Sequence, residues 1–254
     1  MSAVLFLDLD NTVIYSHRRP VEEPKRWVEE LRGAPQSFMT EYTWSYLRRQ
    51  RWLKVIPVTT RTAAQYARLG QLARDLGWDT ALICNGAVLL RDGKEDLRWR
   101  EESLRRSRRD RQALQAACRF IRGRTSPESV AAGEPFLFYV KTEEGERVCE
   151  CLRENTDPSR LSVCRDDRKV YCVPNSLGKG EAVSRYLKRY GGALSISAGD
   201  GALDISMLNR TDVCLCPEDT GAFAGAVRKI VCTGPVFSNE ICDRLEQLRN
   251  EAGL

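Results

Sequence analysis

Two carboxylates directly follow an apolar segment near the start of the chain. Asp8 and Asp10 stand two residues apart after Ala3–Leu7, in the sequence Asp-Leu-Asp-Asn-Thr. Burying carboxylates this close to a core strand costs free energy of folding, which is expected only where they hold a metal ion or take part in chemistry. One could act as a nucleophile and the other as a general acid/base. The structural alternative is a turn or a helix N-cap built from Asp and Asn.

Two further sites could bind an anion. Thr59 and Thr60 follow the apolar segment 53–58, and hydroxyl and N–H groups at a helix start can bind an anion; a plain Thr N-cap is the alternative. Lys179 lies between two glycines at the start of a predicted helix. Because the helix dipole disfavours a cation at a helix start, a lysine there suggests that it binds an anionic ligand. The alternative is an exposed surface lysine. The upstream glycine of a P-loop is missing.

A second acidic pair lies in the sequence Gly-Asp-Gly-Ala-Leu-Asp at 199–204. Asp200 and Asp204 are four residues apart, so on a helical turn they face the same side. Such a pair could ligate a hard cation such as Mg²⁺ through oxygen. Three of the four sites lie at the carboxyl ends of predicted core strands. Ligands of open α/β sheets bind at this edge of the sheet.

Short apolar strands alternate with amphipathic helices around these sites. The predicted strands are Ala3–Leu7, 53–58, 81–84, 194–198 and 213–216. The predicted helices are 42–50, 63–76, 179–190 and a short one near 205–208, and two more helices are expected to close the chain. This alternation is typical of an α/β fold with a parallel sheet.

The character of the chain changes between residues 86 and 173. This segment is predicted to hold an arginine-rich helix over 101–122, a loop over 123–135, a strand over 136–140, a helix over 144–154 and strands at 161–164 and 170–173. Strands this close together favour antiparallel pairing. The sequence therefore predicts an α/β protein with a Rossmann-like parallel sheet core, 1–85 and 174–254, and an inserted α+β domain, 86–173.

Composition narrows the class of protein. Forty basic against 35 acidic residues give a net charge of +5, which is too small an excess to argue for nucleic-acid binding and fits a protein that handles anionic substrates. No run of about 18 apolar residues is present, so a transmembrane helix is not expected. The start of the chain lacks the basic region of a signal peptide, so a cytoplasmic location is predicted.

Cysteine and arginine content add two expectations. The ten cysteines include only Cys-x-Cys pairs beside a single histidine, which argues against a zinc site and favours reduced thiols. The arginine-rich stretch 98–111 fits a solvated helix face, with an anionic substrate or RNA as the alternative. It lacks the interleaved aromatic residues that stack on bases, so a nucleic-acid partner is not favoured.

In this order and on this strand–helix pattern, the four motifs closely resemble those of the haloacid dehalogenase superfamily of phosphatases and phosphotransferases. The insert lies between Thr59 and Lys179, as in the capped Cof-like and sucrose-phosphatase-like branch. Two residues depart from that branch: Thr60 stands where Gly is usual, and Leu203 where Asn is common.

The resemblance implies a role for each motif residue. It implies that Asp8 attacks phosphorus, and that Asp10 protonates the leaving group and then activates water. The implied phosphate-binding residues are Leu9, Asp10, Thr59, Thr60 and Lys179, with Lys179 also steadying the nucleophile. The implied Mg²⁺ site is made by Asp8, the backbone carbonyl of Asp10, Asp200 and Asp204, with Asp204 either ligating or supporting.

The function implied is that of a Mg²⁺-dependent phosphatase acting on a small phosphorylated metabolite, with a sugar phosphate as the first expectation. The reaction would pass through a phosphoaspartate under the insert, which would act as a cap. A phosphosugar mutase of the same fold is an alternative, as is a catalytically weak module that binds a phosphorylated ligand. The sequence indicates no membrane partner and no particular oligomeric state.

Overall fold

The structure is a computed structural model, and it describes residues 3–126, 129–133, 135–192, 194–218, 220 and 228–253. Among these residues the strands are β1 (Ala3–Leu7), β2 (Tyr15–Ser16), β3 (Lys25–Leu31), β4 (Ala34–Thr40), β5 (Leu53–Pro57), β6 (Thr80–Ile83), β7 (Val88–Arg91), β8 (Lys94–Glu95), β9 (Val130–Gly133), β10 (Leu137–Lys141), β11 (Leu161–Asp166), β12 (Lys169–Pro174), β13 (Ser195–Ala198), β14 (Val213–Pro217) and β15 (Arg228–Cys232). The helices in the same ranges are α1 (Glu41–Arg49), α2 (Ala63–Ala67), α3 (Gly70–Asp75), α4 (Leu97–Arg106), α5 (Arg111–Arg122), α6 (Gly145–Glu154), α7 (Lys179–Tyr190), α8 (Ile205–Leu208) and α9 (Phe237–Glu251), with a 3-10 turn at Ser107–Arg109.

Five strands form a parallel sheet in the order β15-β14-β13-β1-β5, which confirms the predicted fold class. β1 lies between β13 and β5, and every one of its residues is buried. A strand that is covered on both faces consists of consecutive apolar residues, and this pattern allowed β1 to be predicted from the sequence. A single parallel bridge between Val58 and Leu82 continues the sheet to β6. The carboxyl ends of β1, β13 and β5 thus meet at one edge.

A second sheet, β11-β12-β10-β9, is antiparallel. On one of its faces, Phe138 and Val140 of β10 pack with α5 and α6 in a separate hydrophobic cluster. We call this sheet and these two helices the cap. The predicted antiparallel pairing of 161–164 with 170–173 is confirmed by the β11–β12 ladder. The loop predicted over 123–135 is wrong in part, because β9 lies within this range and pairs with β10.

Two predicted helices are each broken in the structure. The helix expected over 63–76 is divided into α2 and α3, because the chain turns before Gly70, a residue of low helix propensity. The helix expected over 101–122 is divided into α4 and α5 by the turn at Ser107–Arg109. The Ser107 hydroxyl donates there to the Ser103 carbonyl at 2.9 Å, a side-chain bond that competes with helical backbone bonds.

The end of the chain also differs from the prediction. Of the two closing helices expected, α9 is present. β15 precedes it and extends the parallel sheet beside β14. Residues 221–227 lie outside the described part of the chain.

A three-stranded antiparallel sheet, β2-β4-β3, occupies much of the connection between β1 and β5. We call it the hairpin sheet; it was not predicted. Its register shifts near Trp27 and Glu29, which breaks the two-residue alternation that marks a strand. The hairpin sheet leads into α1, which lies where a helix over 42–50 was predicted.

The first part of the predicted insert packs on the parallel sheet. Trp99 of α4 is fully buried in a cluster with Phe6 and Ile56, and its indole N–H donates to the Gly86 carbonyl at 3.1 Å. By these contacts α4 packs with the core, and the limits 86–173 remain a prediction.

Three further observations bear on the predicted class of protein. No helix in the described ranges is long and apolar enough to cross a membrane. None of the ten cysteines forms a disulfide, as expected for reduced thiols. Trp99, the one aromatic residue within the arginine-rich stretch, is buried and unavailable for stacking on a base.

Candidate active site

A tight turn over residues 8–12 follows β1. The Leu9 carbonyl accepts hydrogen bonds from the N–H groups of Val13 and Ile14, at 3.0 and 2.8 Å. Asn11 has a φ of 62°, in the left-handed region that asparagine tolerates better than most residues. The turn therefore keeps both motif carboxylates close to the end of β1.

Lys179 lies buried between two carboxylates. Its Nζ donates to Asp8 Oδ1 and, at 2.6 Å, to Asp204 Oδ1. Only 2% of Lys179 is exposed, so the surface-lysine alternative is wrong. Burial disfavours the ammonium form, but Asp204 and Asp8 outweigh burial and raise the pKa of Lys179. The site therefore contains a fixed cation.

Two glycines allow this approach. A Cβ on Gly180 would stand 2.2 Å from the backbone oxygen of Ser206, so α7 and α8 can touch only where α7 has no side chain. A Cβ on Gly199 would stand 2.5 Å from Cγ of Asp204. The glycine after Lys179 thus serves packing of the two helices, which brings Lys179 to Asp204.

Asp8, Asp200 and Asp204 form an acidic cluster in which one oxygen of each lies within 4.8 Å of the others. Thr12 Oγ1 lies 3.0 Å from Asp8 Oδ2 and 2.6 Å from Asp200 Oδ1, so its proton can serve either carboxylate. Burial and the neighbouring Asp204 raise the pKa of Asp8, and burial raises the pKa of Asp200 to about 7.

The acidic cluster fits a divalent cation. Three carboxylates face one ammonium, so a 2+ ion would offset the remaining negative charge. All of the donors are hard oxygen atoms, which Mg²⁺ prefers over nitrogen and sulfur ligands. The residues present therefore suit the predicted Mg²⁺.

The Asp10 carboxylate lies outside the acidic cluster. It receives two hydrogen bonds from Arg61, at 2.9 and 2.7 Å. Burial alone would raise the pKa of Asp10, but Arg61 outweighs burial and lowers it. Arg61 also donates to Glu29 at 3.0 Å, and Glu29 accepts from Ser37 and Arg68, both at 2.6 Å.

Thr59 and Thr60 differ in their contacts. Thr59 is buried at the end of β5, and its hydroxyl accepts from the Arg61 N–H at 3.2 Å. The N-cap of α2 is Thr62, the last residue of the segment Thr59-Thr60-Arg61-Thr62, so a plain Thr N-cap is present in this segment, at Thr62 and not at Thr59. Thr60 Oγ1 donates to the Tyr171 hydroxyl of the cap at 3.2 Å.

Known proteins resemble this chain in structure. No family model and no curated protein matches it. The sucrose-phosphatase from Synechocystis, solved with sucrose and phosphate, is 14% identical with a TM-score of 0.61, covering 97% of this chain and 98% of that one. A sugar phosphatase of HAD subclass IIB is 14% identical with a TM-score of 0.63, covering 97% and 99%. A trehalose-6-phosphate phosphatase related protein is 14% identical with a TM-score of 0.54, covering 98% and 100%.

The chain has the haloacid dehalogenase fold. The likeness covers core and cap together, so the expected capped architecture is confirmed.

Four motif residues expected from the haloacid dehalogenase pattern meet in the structure: Asp8, Lys179, Asp200 and Asp204. Thr59 follows β5, which is paired with β1. Leu9 is buried between the two aspartates of the turn. The individual roles of all these residues stay predictions.

The two departures from the haloacid dehalogenase pattern have separate explanations. Thr60, in place of glycine, joins core and cap through its hydroxyl. Leu203, in place of asparagine, packs against the main hydrophobic core and leaves both neighbouring acids in place.

Sequence reasoning missed two polar residues of the site. Thr12 contacts Asp8 and Asp200, and its position four residues after Asp8 could have identified it. Glu29 belongs to the hairpin sheet, and no local sequence motif identifies it as a site residue. It is identified only by its buried ion pair with Arg61 in the structure.

Proposed function

We propose that this protein is a Mg²⁺-dependent phosphatase that hydrolyses a small phosphorylated metabolite, of which a sugar phosphate is the expected class. The observation that carries the proposal is the buried Lys179, held between Asp8 and Asp204 beside Asp200. The sugar phosphatases with the same fold support this activity. The absence of disulfides among the ten cysteines fits a reducing, cytoplasmic location.

Asp8 and Asp200 would hold the cation, together with the backbone carbonyl of Asp10. Both carboxylate oxygens of Asp204 already accept hydrogen bonds, from Lys179 and from the Gly201 N–H at 2.9 Å. Asp204 is proposed to position Lys179 and to support the cation site beside Asp200. When bound, Mg²⁺ supplies the positive charge that lets an anionic phosphate approach the Asp8 carboxylate.

Hydrolysis then takes two displacements at phosphorus. In the first, an Asp8 carboxylate oxygen forms a bond to phosphorus, the ester P–O bond breaks, and the Asp10 proton goes to the leaving oxygen. In the second, water attacks phosphorus, Asp10 takes its proton, and the bond to Asp8 breaks. Lys179 and Thr59 hold the phosphoryl oxygens, on which negative charge is spread.

Arg61 favours one of the two forms of Asp10. The ion pair stabilises the ionised carboxylate, which is the form that accepts a proton from water in the second displacement. The first displacement needs protonated Asp10, so the ion pair has to open before the ester bond breaks. Arg61 is thus expected to move during the catalytic cycle.

Phosphoenzyme trapping tests the proposal. The purified protein is expected to release phosphate from p-nitrophenyl phosphate and from sugar phosphates with Mg²⁺, and to lose activity with a chelator. Asp8→Asn should abolish turnover, whereas Asp75→Asn, exposed on α3, should leave it unchanged. Mass spectrometry of acid-quenched wild type should show one phosphoryl group on Asp8. Full turnover by Asp8→Asn would overturn the assignment.

The same experiment separates the alternatives. A phosphosugar mutase would move phosphate between positions of one sugar without releasing it. A binding module would retain phosphorylated ligands and turn over none of them. The intact set of acids around Lys179 favours the phosphatase over the binding module.

A further inference from the structure

Two lysines of the cap lie directly opposite each other on neighbouring strands. Lys141 of β10 is paired with Lys169 of β12. Like charges at directly opposite positions of an antiparallel pair destabilise the sheet. Lys169 Nζ lies 5.5 Å from the centre of the Tyr139 ring and Lys141 is exposed, so an anion bound outside the sheet would relieve the repulsion that is left.

The face of the sheet that carries these lysines looks toward the candidate active site. Side chains alternate along a strand, so Tyr139 and Tyr171 share this face with Lys141 and Lys169. The Tyr171 hydroxyl accepts from Thr60 of the core, and the Tyr139 hydroxyl accepts from Gln65 Nε2 at 2.9 Å. Phe138 and Val140 occupy the opposite face, inside the cap.

Both lysines line a cavity of about 400 Å³ that also reaches Asp10. Within the described part of the chain, neither lysine has a carboxylate oxygen within 4.0 Å. Asp166 of β11 is paired with Lys169, so one acid stands beside two lysines in this row. Arg18, on the wall formed by the connection after β2, likewise has no ion pair among the described residues.

The remaining cations of the cavity are already neutralised. Their ion pairs are Arg61 with Asp10 and Glu29, Arg68 with Glu29, and Arg168 with Glu143. Over the whole cavity, six cationic side chains face four carboxylates, of Asp10, Glu29, Asp166 and Asp167, so the lining has a surplus of positive charge. The phosphate that reacts would bind Lys179 and the Mg²⁺ that the acidic cluster would hold, so it does not account for this surplus.

We infer that the substrate carries a second anionic group, a carboxylate or another phosphate, which binds Lys169 and Lys141 on the cap. This inference rests on the proposed function and narrows it from phosphorylated metabolites in general to doubly anionic ones. Lys169, in the middle of the row, is the principal contact, and Lys141 adds to it.

Matched pairs of esters test the inference. 3-Phosphoglycerate differs from glycerol 3-phosphate by a carboxylate, and fructose 1,6-bisphosphate differs from fructose 6-phosphate by a phosphate. We expect kcat/KM to be about 10- to 100-fold higher for the doubly anionic member of at least one pair, as a charged hydrogen bond allows. The pair that shows the preference identifies the second group as carboxylate or phosphate.

Three variants assign the preference to the lysines. Lys169→Gln should remove it, and Lys169→Arg, which keeps the charge, should retain most of it. Lys188→Gln, exposed on α7, is the matched control and should change nothing. If Lys169→Gln lowers kcat/KM equally for both members of each pair, the lysine only attracts anions in general and the inference is overturned.

Failure of the inference can be told apart from failure of the proposed function. Equal rates for both members of each pair, with p-nitrophenyl phosphate hydrolysed, overturn the inference alone. If no ester is hydrolysed, calorimetry of the four esters with Asp8→Asn decides. Tighter binding of the doubly anionic members supports the inference even then, and equal or absent binding overturns it.

Discussion

Asp8 and Asp10 are two residues apart in sequence but have opposite electrostatic surroundings. Burial and neighbouring carboxylates raise the pKa of Asp8, whereas Arg61 lowers the pKa of Asp10. The turn after β1 separates them by directing one carboxylate to Lys179 and the other to Arg61. Two chemically identical side chains are thereby prepared for different tasks.

Asp10→Asn is expected to lose about 10²- to 10⁴-fold in turnover of sugar phosphates, the usual contribution of general acid/base catalysis. The loss should be smaller for the first displacement with p-nitrophenyl phosphate, because its leaving group needs little protonation. Since water activation still lacks its base, the phosphoenzyme should accumulate. Rapid-quench mass spectrometry measures the phosphorylated fraction.

Wild type, which hydrolyses its phosphoenzyme, is the control for that measurement. An Asp10→Asn protein that turns over sugar phosphates at the wild-type rate would remove Asp10 from the mechanism. A phosphoryl group found on a residue other than Asp8 would move the nucleophile.

Glu29→Gln is expected to reduce the free energy of unfolding at pH 7 by about 1–3 kcal/mol, since the buried Arg61 loses a charged partner. Burial raises the pKa of Glu29, but Arg61, Ser37 and Arg68 outweigh burial and hold it below its usual 4.5. The unfolded state therefore binds the proton more readily, so wild type loses this advantage as the pH falls below about 4.5.

Urea unfolding at pH 7 and between pH 3 and 5 measures this effect. Glu144→Gln, at an exposed acid of the cap, is the control and should change stability by less than about 0.5 kcal/mol. An unchanged difference between wild type and Glu29→Gln down to pH 3 would show that the Glu29 charge contributes nothing.

The motif residues of the site were predictable because each stands at a fixed offset from a strand end or a helix start. Lys179 and Asp200 are of this kind. Glu29 is not, because its partner Arg61 is 32 residues away and only the folded hairpin sheet joins them. Lys169 is proposed as a site residue only because the fold pairs it with Lys141 on the wall of the cavity.

At the level of elements, the contact between α7 and α8 depends on a single missing side chain. Gly180→Ala would place a Cβ 2.2 Å from a backbone oxygen, which cannot rotate away. We expect a loss of about 1–3 kcal/mol in the free energy of unfolding, as for overpacked cores. Activity should fall as well, because Lys179 would move away from Asp204.

Gly70→Ala is the matched control for that change. Its Cβ would meet only the flexible end of Arg74, at 3.5 Å, and alanine favours helix over glycine. Denaturant unfolding should show Gly70→Ala as stable as wild type or up to about 1 kcal/mol more stable. If Gly180→Ala is as stable as wild type, α8 can shift away from the new Cβ at no cost in free energy, and the prediction is wrong.

Elements with strong apolar patterns were predicted to the residue. β1, α7 and α8 begin and end where the sequence placed them. The hairpin sheet was missed because Trp27 and Leu31 of β3 are exposed and the strand pairing is irregular, so no two-residue alternation marks it. Its position depends on Glu29 contacting a distant arginine, which local pattern does not encode.

On the scale of the whole molecule, two hydrogen bonds join cap and core above the site: Thr60 to Tyr171 and Gln65 to Tyr139. Tyr171→Phe removes the first without changing the ring. We expect about a 2- to 10-fold larger open population, given about 0.5–1.5 kcal/mol for one hydrogen bond. Small-angle scattering should then report a larger radius of gyration than in wild type.

A phosphate mimic such as vanadate with Mg²⁺ should compact the Tyr171→Phe protein again. Tyr186→Phe, whose ring packs in the core away from the cap, serves as the control. Identical scattering from all three proteins, with and without vanadate, would mean that the insert does not act as a lid.

The position of β1 in the middle of the sheet has a consequence for biosynthesis. β13, which pairs with one edge of β1, is made about 190 residues after it and after the whole cap. At roughly 5–20 residues per second, that edge waits on the order of ten seconds or more for its partner. The cap, whose strands are close together in sequence, can fold during this time. We therefore expect ribosome-bound chains that end before residue 195 to hold a folded cap on an unfinished core, with β1 open to chaperones or to other nascent chains.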